Sequence, residues 1–238
     1  MTPQTLRNEI VDYCREHGTE ENIIKYARFF KEGFKGHGLT SPQAKELVAM
    51  LKKKPGVTVD LVIDTMPLML PGGMYEEISI PLTLLDALHK QLTRQHFDAI
   101  NSWFAKGIHN WAHADILGMM VLPKFIEKEL ITMQAFAPWL TSPYHFQRRC
   151  VPVTLIKSLK NASSFTDIFN FLEPLMRDPQ REVHQGMGWF LREAWKNQPL
   201  ETERFLLKWK EEAPRLIIQY ACEKMTPEEK ARFKRSKK

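Results

Sequence analysis

The chain has 238 residues, 43% of them hydrophobic and 26% charged, which excludes a disordered or collagen-like protein and suffices for one domain or two small ones. The 34 Lys and Arg exceed the 28 Asp and Glu by +6, and the pI is about 9.2, so a polyanionic partner is permitted though not required. No apolar run is long enough to span a membrane, the amino terminus lacks the apolar stretch of a signal peptide, and Cys14, Cys150 and Cys222 lie too far apart for a CxxC metal site. The expectation is a cytoplasmic protein with reduced thiols.

Helical periodicity runs through the whole chain. Leu6, Ile10, Val11 and Cys14 form one apolar stripe, and Ile23, Ile24, Ala27 and Phe30 form the next. Thr40-Ser41-Pro42 reads as a hydroxyl cap followed by a first-turn proline, and opens a helix over Gln43–Lys54 that ends at Pro55-Gly56. Further helices are predicted over Val59–Leu70, Ile80–Lys90, Phe97–Lys106, Trp111–Leu122, Lys124–Phe136 and Pro143–Leu159. Others follow over Phe165–Met176, Arg181–Lys196, Glu201–Lys210 and Ala213–Lys224. Val57–Val59 and Ile78–Ile80 are β-rich, but each is too short to be read as a strand. Helix pairs recurring every forty or so residues point to an all-α chain, either an α-solenoid of HEAT-like repeats or a plain helical bundle. A single repeat domain is expected over residues 1–226. The basic stretch over residues 227–238 reads as a frayed tail.

Three constellations stand out. Trp111 and Asp115 are four apart, so a helix puts them on one face, as it does His109 and His113. The histidine pair has metal-ligand spacing, but Asn110 stands where HExxH carries its general base, and no third ligand is evident; no metal is expected. Arg148 and Arg149 begin an apolar helix, where they suit either a phosphate or neighbouring acids, and Pro152 is expected to limit or kink that helix. Gly186 and Gly188 interrupt a helical pattern just before Trp189, and small residues there let another backbone or a ligand approach.

Taken together, the WxxxD at Trp111 and Asp115, Arg149 at the start of the next apolar helix, and GxGWxLRE over Gly186–Glu193 resemble the AlkD family. These are HEAT-like-repeat DNA glycosylases that remove alkylated purines. Tyr26 and the segment Gly38–Pro42 resemble the family's amino-terminal repeat. The resemblance implies a solenoid with a concave basic groove. It makes Asp115 the catalytic carboxylate, Trp111 and Trp189 the aromatic pair beside it, and Arg149, with Arg148, the phosphate-facing group. Tyr26 joins the DNA-binding residues by the same resemblance, and Lys157 joins them as part of the basic cluster with Arg148 and Arg149. It further implies a monomer that acts on double-stranded DNA containing alkylated bases, without membrane or cofactor. No lysine stands out as a Schiff-base nucleophile, so the reaction expected is monofunctional hydrolysis. Nothing in the sequence looks like a deep base pocket, and the resemblance implies a groove that grips the backbone instead. Two alternatives are a non-catalytic HEAT-repeat protein binding damaged or branched DNA, and a helical scaffold that binds another protein with its tryptophans in the core.

Overall fold

The computed structural model describes residues 1–31, 33–162 and 164–236. Fourteen α-helices and several short 3-10 segments make up these residues, and no strand occurs among them. The chain divides into two compact units, Met1–His109 and Asn110–Lys238. No helix among the described residues is long and apolar enough to cross a membrane.

The first unit contains α1 (Pro3–His17), α2 (Glu20–Ala27), α3 (Ser41–Lys53), α4 (Val59–Met69), α5 (Tyr75–Ala87) and α6 (Arg94–Asn101). Threonine starts α1 to α4: Thr2, Thr19, Thr40 and Thr58 each accept a backbone N–H from the first turn, satisfying a donor that has no partner within the helix. Thr40 is the cap expected from the sequence. Its hydroxyl accepts from the Gln43 N–H at 3.4 Å, and Gln43 Oε1 accepts from the Thr40 N–H at 2.8 Å. The β-rich Ile78–Ile80 is helical and buried inside α5, because its apolar residues complete the surface that α5 packs against α1, α3 and α4. Glu76, only 3% exposed, accepts the backbone N–H groups of His37, Gly38 and Leu39 at 2.7, 2.9 and 3.1 Å. Glu77 holds His37 Nε2 at 2.8 Å.

The second unit contains α7 (Trp111–Ile116), α8 (Leu122–Glu127), α9 (His145–Ser158), α10 (Thr166–Leu172), α11 (Arg181–Asn197), α12 (Pro199–Trp209), α13 (Arg215–Ala221) and α14 (Pro227–Ala231). Here α11 packs against both α9 and α13, and α9 packs against α7 and α8. The expected helix over Trp111–Leu122 is interrupted. Residues 117–121 form a π-turn in which the Leu122 N–H bonds to the Leu117 carbonyl, five residues back. Pro123 supplies a physical reason, since a proline ring clashes with the carbonyl four residues earlier and the wider turn relieves it. The helix expected over Lys124–Phe136 is also absent as such. It stops at Glu127, the chain reverses through Glu129 at φ 57°, and a 3-10 segment follows over Met133–Thr141. In contrast, Pro152 does not end α9, which continues past it to Ser158 with the proline buried.

The carboxy-terminal stretch is not frayed as far as Ser236; Lys237 and Lys238 lie outside the described residues. Phe233 is 1% exposed and meets Trp195 edge-to-face at 6.1 Å. Arg232 pairs with Glu203, and the Arg235 guanidinium donates to the Ala213 carbonyl at 2.7 Å. One buried ring thus converts a basic tail into part of the fold.

Phe233→Ala is expected to destabilise the protein by about 3–5 kcal/mol, read as a lower urea midpoint at unchanged slope. The three cysteines are free and buried. Burial, reinforced by Glu76 and Glu77, pushes the Cys14 thiol up to about 12. Burial pushes Cys222 up to about 11, against the opposing pull of Lys230 and Arg215, and raises Cys150 well above its usual value. Thiols raised on folding favour the folded state below the ordinary thiol pKa of about 8.5, and that contribution fades as pH rises through the folded values. Iodoacetamide at pH 8 is therefore expected to label the native thiols roughly a hundredfold more slowly than the urea-unfolded chain.

Candidate functional site

Asn110 starts α7, and its side chain accepts the His113 N–H at 2.9 Å. Because α7 begins at Trp111, His109 precedes the helix and does not share a helical face with His113. The His113 ring is buried, with Nδ1 3.0 Å from Asn110 Nδ2. No group of three potential metal ligands occurs among the described residues. Trp111 and Asp115 lie one turn apart on α7, and both are half-buried.

Asp115 meets Arg149 of α9 in a bidentate ion pair. Arg149 Nε donates to Oδ1 and Nη2 to Oδ2, both at 2.8 Å. The third guanidinium nitrogen, Nη1, donates to the Glu182 carbonyl of α11 at 2.7 Å. Three helices thus meet at one guanidinium, whose planar fork matches the carboxylate. The side chain of Arg149 is 7% exposed and that of Asp115 is 16% exposed. The carboxylate therefore keeps an edge open to water, with lone pairs left over after the two bonds to Arg149.

The family resemblance implies that Arg149 and Arg148 face phosphate, while the residues by themselves suit acids as well; in the structure both guanidinium groups turn inward to acids and carbonyls. Arg148 Nε donates to Asp178 Oδ2 at 2.5 Å, and its Nη1 donates to the Ser142 carbonyl at 2.5 Å. Asp178 in turn accepts the Gln180 N–H at 2.8 Å, just before α11. The acids and carbonyls that take up these arginines lie about thirty residues or more away for three of the four contacts, at Asp115, Asp178 and Glu182, and no local pattern marks them. Lys157 is exposed in the last turn of α9, and Tyr26 is half-buried in the first unit.

Both glycines of α11 serve close packing. A Cβ at Gly186 would stand 3.1 Å from Arg149 Cγ, and one at Gly188 would stand 2.5 Å from the Tyr220 Cβ and 2.9 Å from the Ile217 carbonyl of α13. Gly118 plays the same part in the π-turn, where a Cβ would meet Val153 Cγ1 of α9 at 2.8 Å. Trp189 is half-buried rather than enclosed in the core. It lies three residues, under one helical turn, after Gly186, whose open side faces Arg149. The Gln185 amide donates to the Tyr220 hydroxyl at 2.9 Å.

Comparison with known proteins adds a family. The family described as "DNA alkylation repair enzyme" matches residues 12–225. No curated protein matches the chain. Among solved structures, a protein described as a predicted DNA alkylation repair enzyme from Enterococcus faecalis is similar at 13% identity and a TM-score of 0.72, over 89% of this chain and 98% of that one. AlkD2 from Streptococcus mutans is similar at 17% identity and a TM-score of 0.52, over 94% and 97% of the two chains. The smu.31 protein from Streptococcus mutans UA159 is similar at 15% identity and 0.54, over 93% and 100%. At these identities the likeness establishes the fold, the all-α helical-repeat class expected from the sequence.

Removing Arg149 leaves a largely buried carboxylate unpaired. Arg149→Ala is expected to cost about 3 kcal/mol or more in denaturant unfolding. Arg149→Lys is expected to recover little of it, because an ammonium cannot make the paired contact.

Proposed function

The chain belongs to the DNA alkylation repair enzyme family, and on that premise we propose that it hydrolyses the N-glycosidic bond of N3- or N7-alkylated purines in double-stranded DNA. Asp115 is the catalytic carboxylate of this reading. The observation that carries it is a carboxylate held by two charge-assisted bonds to Arg149 that still keeps an open edge, one turn after a half-exposed tryptophan. A carboxylate with fixed orientation and access to water is what such a hydrolysis needs.

An alkylated purine of this kind carries positive charge, so it leaves as a neutral base with the electron pair of the C1′–N bond. The sugar becomes oxocarbenium-like; a water adds at C1′ and gives up its proton to Asp115 or solvent, leaving an abasic site. Asp115 stabilises the developing charge and orients the water. The indole faces of Trp111 and Trp189 attract a cation by roughly 0.5–2 kcal/mol each when desolvated. They favour the cationic lesion and sugar over an ordinary nucleotide, which is the differential binding that catalysis requires. Arg149 is a positioning residue that acts through Asp115, and Arg148 steadies the start of α11 through Asp178. Phosphate contacts fall to exposed cations such as Lys157, with Tyr26 as an aromatic contact in the first unit. The reaction of this reading is monofunctional hydrolysis, without a lysine nucleophile.

A second reading has one observation in its favour: Arg149 has a protein partner for each of its three nitrogens, which is how a purely structural tie looks. Asp115→Asn separates the two. Release of 7-methylguanine and 3-methyladenine from methylated duplex DNA is expected to fall about 10²–10³-fold, with duplex binding retained. Undiminished release by the variant would make the pair structural. Release by neither protein, with salt-sensitive DNA binding by both, would make this a non-catalytic DNA-binding protein.

A further inference from the structure

The first unit carries a feature that the chemistry at Asp115 does not use. Residues 25–35 interleave rings with cations: Lys25-Tyr26, Arg28-Phe29, Phe30-Lys31 and Phe34-Lys35, with one acid, Glu32, in the sequence. In the structure four rings gather. Phe34 lies 5.0 Å from Phe30, 5.5 Å from Tyr75 and 6.1 Å from Tyr26, ring centre to ring centre. All four are half-exposed. Phe29, next to Phe30 in the chain, is 58% exposed, with the Arg28 guanidinium 5.2 Å over its ring.

This cluster is built rather than adventitious. The Tyr75 N–H donates to the Lys35 carbonyl at 2.7 Å, tying the segment to the start of α5. The buried Glu76 carboxylate accepts the backbone N–H groups of His37, Gly38 and Leu39 just beyond. The Phe34 ring lies over Gly36, where a Cβ would stand 2.5 Å from Cζ. Lys25, Lys31 and Lys35 are exposed, and none of them forms an ion pair among the described residues. The acids of α2, Glu20 and Glu21, occupy its first turn, at the opposite end of the helix from Arg28.

We propose that this aromatic–basic patch of Tyr26, Phe29, Phe30 and Phe34 with Lys25, Lys31 and Lys35 binds single-stranded DNA by stacking its unpaired bases. The proposal rests on DNA being the partner and not on the chemistry at Asp115. A phenyl ring has no donor or acceptor with which to read a groove, and in a duplex the base faces are already covered by one another. An exposed phenylalanine therefore gains most from a base outside the stack. A nucleotide offers a flat base with a phosphate at a short covalent distance. A ring with a cation next to it in the chain, repeated four times, complements that repeat.

The test is fluorescence anisotropy with an end-labelled single-stranded deoxyoligonucleotide, the same strand made abasic, and its duplex. Phe29 is exposed, so Phe29→Ala is not expected to disturb folding. That variant is expected to weaken binding to the base-bearing strand at least about 5-fold, with little change for the abasic strand or the duplex. Phe29→Trp is expected to retain binding. Lys31→Ala with Lys35→Ala is expected to flatten the dependence of log affinity on log salt by about 1.4 for the single strand. Wild-type affinity in Phe29→Ala, or an equal loss on the abasic strand, would overturn the proposal. So would Phe29-dependent binding confined to phosphatidylcholine–phosphatidylserine vesicles, which would assign the patch to a membrane surface. Asp115→Asn is run alongside. It is expected to bind the single strand as the wild type does, so loss of the glycosylase reading would leave this result standing, and the reverse.

Discussion

The ion pair between Asp115 and Arg149 is the constraint on which the second unit depends. Removing a carboxylate and a guanidinium from water costs several kcal/mol per ion, and the pair persists because its geometry returns most of that. Each carboxylate oxygen accepts one of two parallel bonds, and the Glu182 carbonyl takes the remaining guanidinium nitrogen. The donors are fixed in one plane, so α9, which carries them, is fixed in register with α7 and α11, which supply the acceptors. The glycines follow from the same demand. Gly118 lets α9 come down onto the π-turn after Asp115, and Gly186 leaves room for the Arg149 stem against α11. A side chain at either place would push apart the elements that the pair holds together.

Consecutive arginines on α9 divide the work. They are about 100° apart around the helix, so they reach different neighbours. Arg149 ties α9 to α7 and α11, while Arg148 ties its start to Ser142 and to Asp178, ahead of α11. The result is a carboxylate on a rigid mount. Rigidity matters to catalysis because a group that is already oriented need not be reorganised as charge develops. The same arrangement turns both arginines inward, whereas Lys157, at the far end of α9, stays exposed.

A buried carboxylate organises the first unit by a different route. Glu76 accepts three successive backbone N–H groups, with no cation in hydrogen-bond contact among the described residues, and Glu77 takes the neighbouring imidazole. Backbone donors that would otherwise be unsatisfied are met, and the segment carrying Phe34 and Lys35 is pinned to α5. Aromatic residues on an untethered loop would have to be ordered by their ligand, at the expense of affinity; here much of that ordering is done by folding.

Much of the secondary structure was legible in the sequence, because the signals are local. The Thr40 cap, the apolar stripe of α1, and the long α11 with its two glycines are set by neighbours a few residues apart. So is the placement of Trp111 and Asp115 one turn apart. The failures are also local in kind: Pro123 and the reversal at Glu129 broke helices whose apolar period ran on regardless. What only the tertiary structure decided was partner choice. Sequence left Arg148 and Arg149 open to phosphates or acids; folding assigned them to Asp178, Asp115 and two carbonyls, mostly thirty residues or more away. It likewise buried Phe233 and docked a tail that composition alone marks as free. The physical reason is range: caps and periodicity act within a turn or two, whereas which of 28 acids meets a given arginine depends on how whole helices pack.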